Sequence, residues 1–160
     1  MAERVHLALG SNLGDRAAHL ATARARLGAL PGTSVVAASP IEETAPLGGL
    51  AQPPYLNQMV TVATTLAPDA LLAACHAIER DAGRRRHPAA RWSSRTLDID
   101  VVLWEGRTVA TAALHVPHPG LVDRPFWQRG LDALGVDWRA SVAPAGAARG
   151  GAAAVAAGQP

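Results

Sequence analysis

The chain has no lysine, a single cysteine, one tyrosine and one phenylalanine among its 160 residues. Each scarcity excludes something. Without lysine there is no P-loop, so the run Gly10-Ser11-Asn12-Leu13-Gly14 reads as a packing turn rather than a phosphate cradle. With Cys75 alone no internal disulfide can form; it lies on a predicted helix, reads as a small core side chain and fits a reducing compartment, so a cytoplasmic location is expected. No long apolar run is present, which argues against a secretory leader or a membrane span. The formal net charge is only +2, and the pI near 9.5 reflects arginine in place of lysine. So small an excess does not imply general affinity for nucleic acid. His115 and His118 are spaced as zinc ligands can be, yet Pro117 lies between them and no matching cysteine or third histidine stands nearby. No zinc site is expected.

What is present is concentrated between Gly83 and Leu103. Arg84, Arg85, Arg86, Arg91 and Arg95 precede Asp98 and Asp100, which sit in the otherwise branched and apolar segment Leu97–Leu103. That segment predicts a strand with Leu97, Ile99 and Val101 on one face and the two aspartates on the other. At strand spacing the two carboxylates are about 7 Å apart at the backbone, close enough to converge on one or two hard cations. Magnesium is held by one or two carboxylates together with water and substrate phosphates, and arginine is shaped to clamp phosphate oxygens. The combination points to a polyphosphate. A solvated edge strand after an ordinary charged loop would use the same residues. The immediate succession of arginines and carboxylates within an apolar segment favours the site, because an unpaired charge there would be costly.

One domain is expected over residues 1–142, with the Ala/Gly-rich stretch 143–160 read as a disordered tail. Val5–Leu9 predicts a first strand, and Asp15 is placed to cap a helix with Leu20, Ala23, Leu27 and Leu30 in one stripe. Ser34–Ser39 and Leu56–Thr65 predict two further strands, separated by a Pro/Gly-rich loop from Thr44 to Tyr55 that is expected to be mobile. Pro68 opens a second helix with Leu71, Cys75, Ile78 and Ala82 on one face, and Gly83 closes it. The Asp98 strand follows, then a short strand over Thr108–Ala113 and a last helix from about Pro125. This order, βαββαβ, predicts an α+β, ferredoxin-like antiparallel sheet with helices against one face, plus a C-terminal hairpin and helix extension.

Aromatics are few enough for their placement to be informative. Tyr55 ends the Pro/Gly-rich loop, Phe126 follows Arg124-Pro125, and Asn57 stands two residues from Tyr55. Two rings and an amide would hold a flat heteroaromatic ligand, although both rings could equally cover the edge of the core. Trp104 and Trp138 are assigned to packing, and His118 with Arg124 would suit a triphosphate.

These residues carry a resemblance. Gly10-Ser11-Asn12-Leu13-Gly14, Thr44 with Pro46-Leu47-Gly48, Tyr55-Leu56-Asn57, Ile78-Glu79 with Gly83-Arg84, Arg91-Trp92, Arg95-Thr96-Leu97-Asp98-Ile99-Asp100, and Val116-Pro117-His118 with Arg124 and Phe126 resemble the 6-hydroxymethyl-7,8-dihydropterin pyrophosphokinases. The resemblance runs in order from Val5 to about Leu134. It implies transfer of pyrophosphate from ATP, the co-substrate, to the hydroxymethyl oxygen of a reduced pterin, with release of AMP, in folate biosynthesis. By the same resemblance Asp98 and Asp100 would bind two magnesium ions. Tyr55 and Phe126 would sandwich the pterin, with Asn57, Thr44 and Leu47 at its edge. Arg84 and Arg95 would stabilise transferring charge. Glu79, Arg86, Arg91, His118 and Arg124 would contact ATP while Trp92 closes over it.

The chain departs from the family pattern at Ser93-Ser94, where Gly-Pro is usual, at His76, where glutamine is frequent, and at Ala113, where an arginine can stand. None of these removes an implied metal ligand or pterin contact. Small-molecule substrates, a monomer, and neither a nucleic-acid nor a membrane partner are expected. The competing class is a ferredoxin-like RNA- or nucleotide-binding module without catalysis. It would set Asp98 and Asp100 against phosphates without a metal between them, and it lacks surface aromatics on its central strands.

Overall fold

The computed structural model describes residues 1–46, 52–83 and 96–142. The elements in order are β1 (Glu3–Ser11), α1 (Arg16–Gly28), β2 (Thr33–Ala38), β3 (Glu42–Thr44), β4 (Tyr55–Thr64), α2 (Pro68–Asp81), β5 (Asp98–Trp104), β6 (Val109–Ala110), β7 (His115–Val116), a short 3-10 helix (Pro119–Asp123), α3 (Pro125–Ala133) and α4 (Arg139–Val142). The chain is α+β. Its main sheet is antiparallel with strand order β2-β4-β1-β5, β3 pairs with β4 as well, and β6 and β7 form a separate hairpin.

Local signals account for these elements. Asp15 caps α1 by accepting the Ala18 N–H, and Leu20, Ala23 and Leu27 recur at helical spacing to bury one stripe. Pro68 occupies the first turn of α2, where a missing N–H costs nothing, and Gly83 leaves the helix at φ +93°. β1 lies between β4 and β5, and both of its faces are buried because a core packs against each side of the sheet. Its Val5, Leu7 and Leu9 join Ile99 and Val101 of β5, and Leu97 just before it, in a core with α1 and α2.

Helices cover the opposite face as well, which corrects the expectation of a sheet covered on one face only. Ala8, Met59, Val102 and Leu103 form a second core with Leu121, Trp127, Leu131 and Trp138. A bulge adds to this core: His6 stands opposite Leu103 and Leu7 opposite Val101, so Val102 is the extra residue, and Leu103 joins it on the face that strict alternation would deny to Leu103. Helix α3 comes very close to the sheet at Gly130, where a Cβ would lie 2.7 Å from the Met59 Cβ.

Three boundaries differ from the sequence reading. Gly10 and Ser11 are strand residues rather than a turn, Thr44 and Tyr55 are paired strand residues rather than loop, and the strand expected over Thr108–Ala113 contracts to Val109–Ala110. In each case ladder pairing, which local composition does not report, decides the outcome. The tail 143–160 lies outside the described residues.

On the second face, at the end remote from Asp98, His6 is buried in a polar network. Its Nε2 lies 3.0 Å from Glu105 Oε2 and its Nδ1 lies 2.8 Å from Thr61 Oγ1. The Glu105 carboxylate can only accept, so Nε2 carries the proton, and in the neutral ring Nδ1 accepts the threonine hydroxyl. Burial pushes the His6 imidazole below its ordinary value, and this outweighs the opposing effect of Glu105.

Two outcomes follow from this packing. Gly130→Ala should gain up to about 1 kcal/mol in helix propensity but lose about 1–3 kcal/mol to overpacking against Met59. A lower melting temperature is expected; a higher one would show that α3 can retreat freely. The second outcome concerns acid. The unfolded histidine binds a proton at about pH 6.5, whereas native His6 resists it, so stability is full above that pH and falls as pH drops below it. Urea midpoints measured from pH 7.5 downward should show this decline. His6→Gln should reduce the slope, and an unchanged slope would exclude His6 as its source.

Candidate active site

The polar end of the second face is assembled by register. Gly10 stands opposite Asn57 on β4 and Asp98 on β5, and Ala8 stands opposite Met59 and Asp100. Because side chains alternate along a strand, Tyr55, Asn57, Asp98 and Asp100 share one face while Leu97, Ile99 and Val101 enter the α1/α2 core. The predicted division of β5 into a carboxylate face and an apolar face is therefore present. Both aspartates are partly exposed. Between the two polar strands Gly10 forms a bare floor, where a Cβ would lie 3.4 Å from Asn57 Oδ1 and 3.5 Å from Tyr55 Cδ1.

Asn57 is oriented by its neighbours. Its Nδ2 donates to Thr44 Oγ1 at 2.6 Å and to the Glu42 carbonyl at 3.5 Å, which turns Oδ1 toward Gly10. A shallow open cleft runs from Asn57, Met59 and the Ser39–Pro40 turn to Phe126, Trp127 and Gly130 on α3. Asn57 and Phe126 thus line the same cleft, and Thr44 and Tyr55 adjoin it through the β3–β4 pairing. Arg129 closes the rim with a bidentate ion pair to Glu42. The 52–54 stretch is tied to this end of the sheet by Asn12 Nδ2, which donates to the Pro53 carbonyl at 3.2 Å, and by Arg16 Nη1, which donates to the Pro54 carbonyl at 2.9 Å.

His118 follows a cis Val116–Pro117 peptide, and its N–H donates to the Val102 carbonyl at 2.8 Å, which anchors it beside β5. Its Nδ1 accepts the Gly120 N–H at 2.9 Å, so the proton of the neutral ring is on Nε2. Burial, and secondarily the positive charge of Arg124, hold the imidazole below its ordinary value. The ring meets Trp127 edge-on at 4.9 Å, and the Arg124 guanidinium lies over the same indole at 4.6 Å. Phe126 packs against that indole at 6.3 Å. Trp127 therefore touches three of the candidate ligand contacts. The sequence reading placed it on the last helix without a role; its spacing of three residues from Arg124, one helical turn, was the available signal.

Glu79 is 4% exposed, and its Oε2 accepts the N–H of Ile99, between the two aspartates, at 2.8 Å. It thus secures the outer edge of β5. Burial first, then the charges of Glu79 and Asp100, push the Cys75 thiol up to about 12, which keeps it protonated and inert. Among the described residues no group of three or more His, Cys, Asp or Glu gathers as a metal site, so the aspartate pair is the candidate donor set there. Leu47, Arg84, Arg86, Arg91, Trp92 and Arg95, with Ser93 and Ser94, lie outside the described residues.

Known proteins are similar to this chain in sequence. The 2-amino-4-hydroxy-6-hydroxymethyldihydropteridine pyrophosphokinase of Methylorubrum extorquens is 44% identical over 123 residues, covering 77% of this chain and 77% of that protein. The same-named protein of Bacillus subtilis is 40% identical over 121 residues, 76% of this chain and 71% of its own length. That of Pseudomonas aeruginosa is 39% identical over 139 residues, 87% and 85% respectively. Residues 6–135 match the 7,8-dihydro-6-hydroxymethylpterin-pyrophosphokinase family as a whole, and with the two-carboxylate strand, the bare Gly10 floor and the Asn57–Phe126 cleft inside that span, the chain belongs to this family.

Proposed function

We propose that the second face of the sheet is where the two substrates of this enzyme meet. The reaction is transfer of the pyrophosphoryl group of ATP to the hydroxymethyl oxygen of 6-hydroxymethyl-7,8-dihydropterin, a step of folate biosynthesis. The new bond joins that oxygen to the β-phosphorus, the bond from the β-phosphorus to the oxygen it shares with the α-phosphorus breaks, AMP leaves with that oxygen, and the hydroxyl proton is released. The observation that supports the reading is the register row Asn57, Gly10, Asp98, in which the Asn57 side of the cleft and the carboxylate pair are separated only by a residue without a side chain.

In this reading the pterin enters between Tyr55 and Phe126, with its polar edge against Asn57, Thr44 and the backbone of Leu47. The Thr44 hydroxyl oxygen accepts from Asn57 Nδ2, which leaves the amide oxygen available to a donor on the ligand. Asp98 and Asp100 fit magnesium: two carboxylates on one partly exposed strand face are what that ion uses when substrate phosphates and water supply its remaining ligands. They would hold two Mg²⁺ ions, which neutralise triphosphate charge and orient the β-phosphorus. His118 donates from Nε2 to a phosphate oxygen and Arg124 pairs with another. Arg84, Arg86, Arg91 and Arg95 clamp the remaining oxygens, Arg84 and Arg95 at the transferring group, and Trp92 covers the nucleotide. Glu79, whose Oε2 holds the β5 edge from which both aspartates project, lies in the nucleotide pocket and contacts ATP.

The strand order, with a helix after β1 and another after β4, supports a ferredoxin-like topology. The β6–β7 hairpin and α3 are read as an extension that supplies one wall of the site. A monomer in the cytoplasm is the proposed working form; no described helix is long and apolar enough to cross a membrane.

Production of AMP from ATP that depends on the hydroxymethyl dihydropterin tests the assignment directly. Asp98→Asn and Asp100→Asn should each lower that rate by at least about a hundredfold, the scale seen when a key electrostatic group is removed, with the melting temperature nearly unchanged. Near wild-type turnover of either variant at saturating magnesium would remove it from the metal site. Tyr55→Ala and Phe126→Ala should weaken pterin binding by roughly tenfold, since ring stacking adds about 0.5–1.5 kcal/mol to burial, and leave binding of an ATP analogue close to wild type. Equal losses for both ligands in calorimetry would assign the rings to packing.

A further inference from the structure

Arg124 occupies space that most residues at position 120 would fill. A Cβ added to Gly120 would lie 1.5 Å from Arg124 Nη1, 2.8 Å from its Cζ and 3.2 Å from His118 Nδ1. On its other side the guanidinium lies over the Trp127 indole, 4.6 Å from the ring centroid. Gly120 has no positive φ, so the backbone does not require glycine there. The space does. Trp127 is 5% exposed and fixed in the second core, so it offers a rigid face rather than a mobile side chain.

We infer that Gly120 and Trp127 are positioning residues that form a slot for the Arg124 guanidinium, holding it beside His118 before ATP arrives. The Gly120 N–H fixes the tautomer of His118 and the missing side chain admits the arginine, so a single backbone position prepares two phosphate contacts. An arginine held in this way loses less side-chain freedom when it meets its anion. The inference rests on the reading of Arg124 as a nucleotide contact only for its consequence in catalysis; the slot itself can be observed without ligand.

Substitution of Gly120 separates this role from folding. The atom that a new methyl group meets first is the end of a flexible side chain, so Gly120→Ala should fold with a nearly unchanged melting temperature while displacing Arg124. In nitrogen-15 spectra of the free protein, the Arg124 Nε–H resonance, assigned by its loss in Arg124→Ala, should be displaced by the indole ring current. It should move to the position of a free arginine in Gly120→Ala and in Trp127→Leu, and stay displaced in Trp127→Phe. A free-arginine position in the wild type, or no movement in Gly120→Ala, overturns the slot. With a non-hydrolysable ATP analogue, Gly120→Ala should weaken binding by roughly tenfold, the factor corresponding to one charge-assisted hydrogen bond, and should add nothing in an Arg124→Ala background. Multiplying losses in the double variant would mean that Gly120 acts otherwise than through Arg124, against the inference. Wild-type analogue affinity in Arg124→Ala, with the resonance displaced as expected, would uphold the slot and remove Arg124 from the nucleotide contacts.

Discussion

The register of β1 between β4 and β5 is the constraint on which the site depends. Ala8 and Gly10 are flanked by Met59 and Asn57 on one side and by Asp100 and Asp98 on the other. A slip of one residue would turn both aspartates into the α1/α2 core and expose Leu97, Ile99 and Val101, each worth about 1.5–3 kcal/mol when buried. The uncompensated carboxylates would add several kcal/mol more. Site geometry is therefore secured from behind, by apolar residues that never meet a substrate. This leaves the front face free to carry charge.

Depth and width of the cleft are set by helix α3. Its approach at Gly130 brings backbone almost onto Met59, so Phe126 and Trp127 stand at a distance decided by contact rather than by a tether. The Arg129–Glu42 pair spans the rim between α3 and β3, but both partners are substantially exposed. Packing therefore positions the wall, and the ion pair selects among orientations already close to it.

Sequence reasoning reached the parts governed by short periods. Alternation in Leu97–Val101 gave the two faces of β5, and helical spacing gave the buried stripes of α1 and α2. Asp15, Pro68 and Gly83 marked helix ends by their own chemistry. The missed features depend on residues distant in the chain. Gly10 looks like a turn until Tyr55 and Asn57 are seen lying against it, and nothing in the local sequence announces that the Glu79 carboxylate accepts the Ile99 N–H, twenty residues on. The second core was hard to read because the bulge at Val102 turns Leu103 to the face of Asp98, Asp100 and Val102, against the alternation. The family's motifs supplied roles for Arg84 to Arg95 that no periodicity could have assigned.

The position of β5 at the margin of the sheet has a consequence for association between molecules. An edge strand normally offers a row of unused donors and acceptors to any passing chain. Here the Ile99 N–H is taken by Glu79 and the Val102 carbonyl by the N–H of His118, while the opposite margin, β2, is distorted by a bulge at Val36. Groups that shape the face of the candidate site thus also interrupt the template the sheet would offer for growth. A strand that carries two carboxylates at an open margin is in this way less available, at those positions, for pairing with another chain.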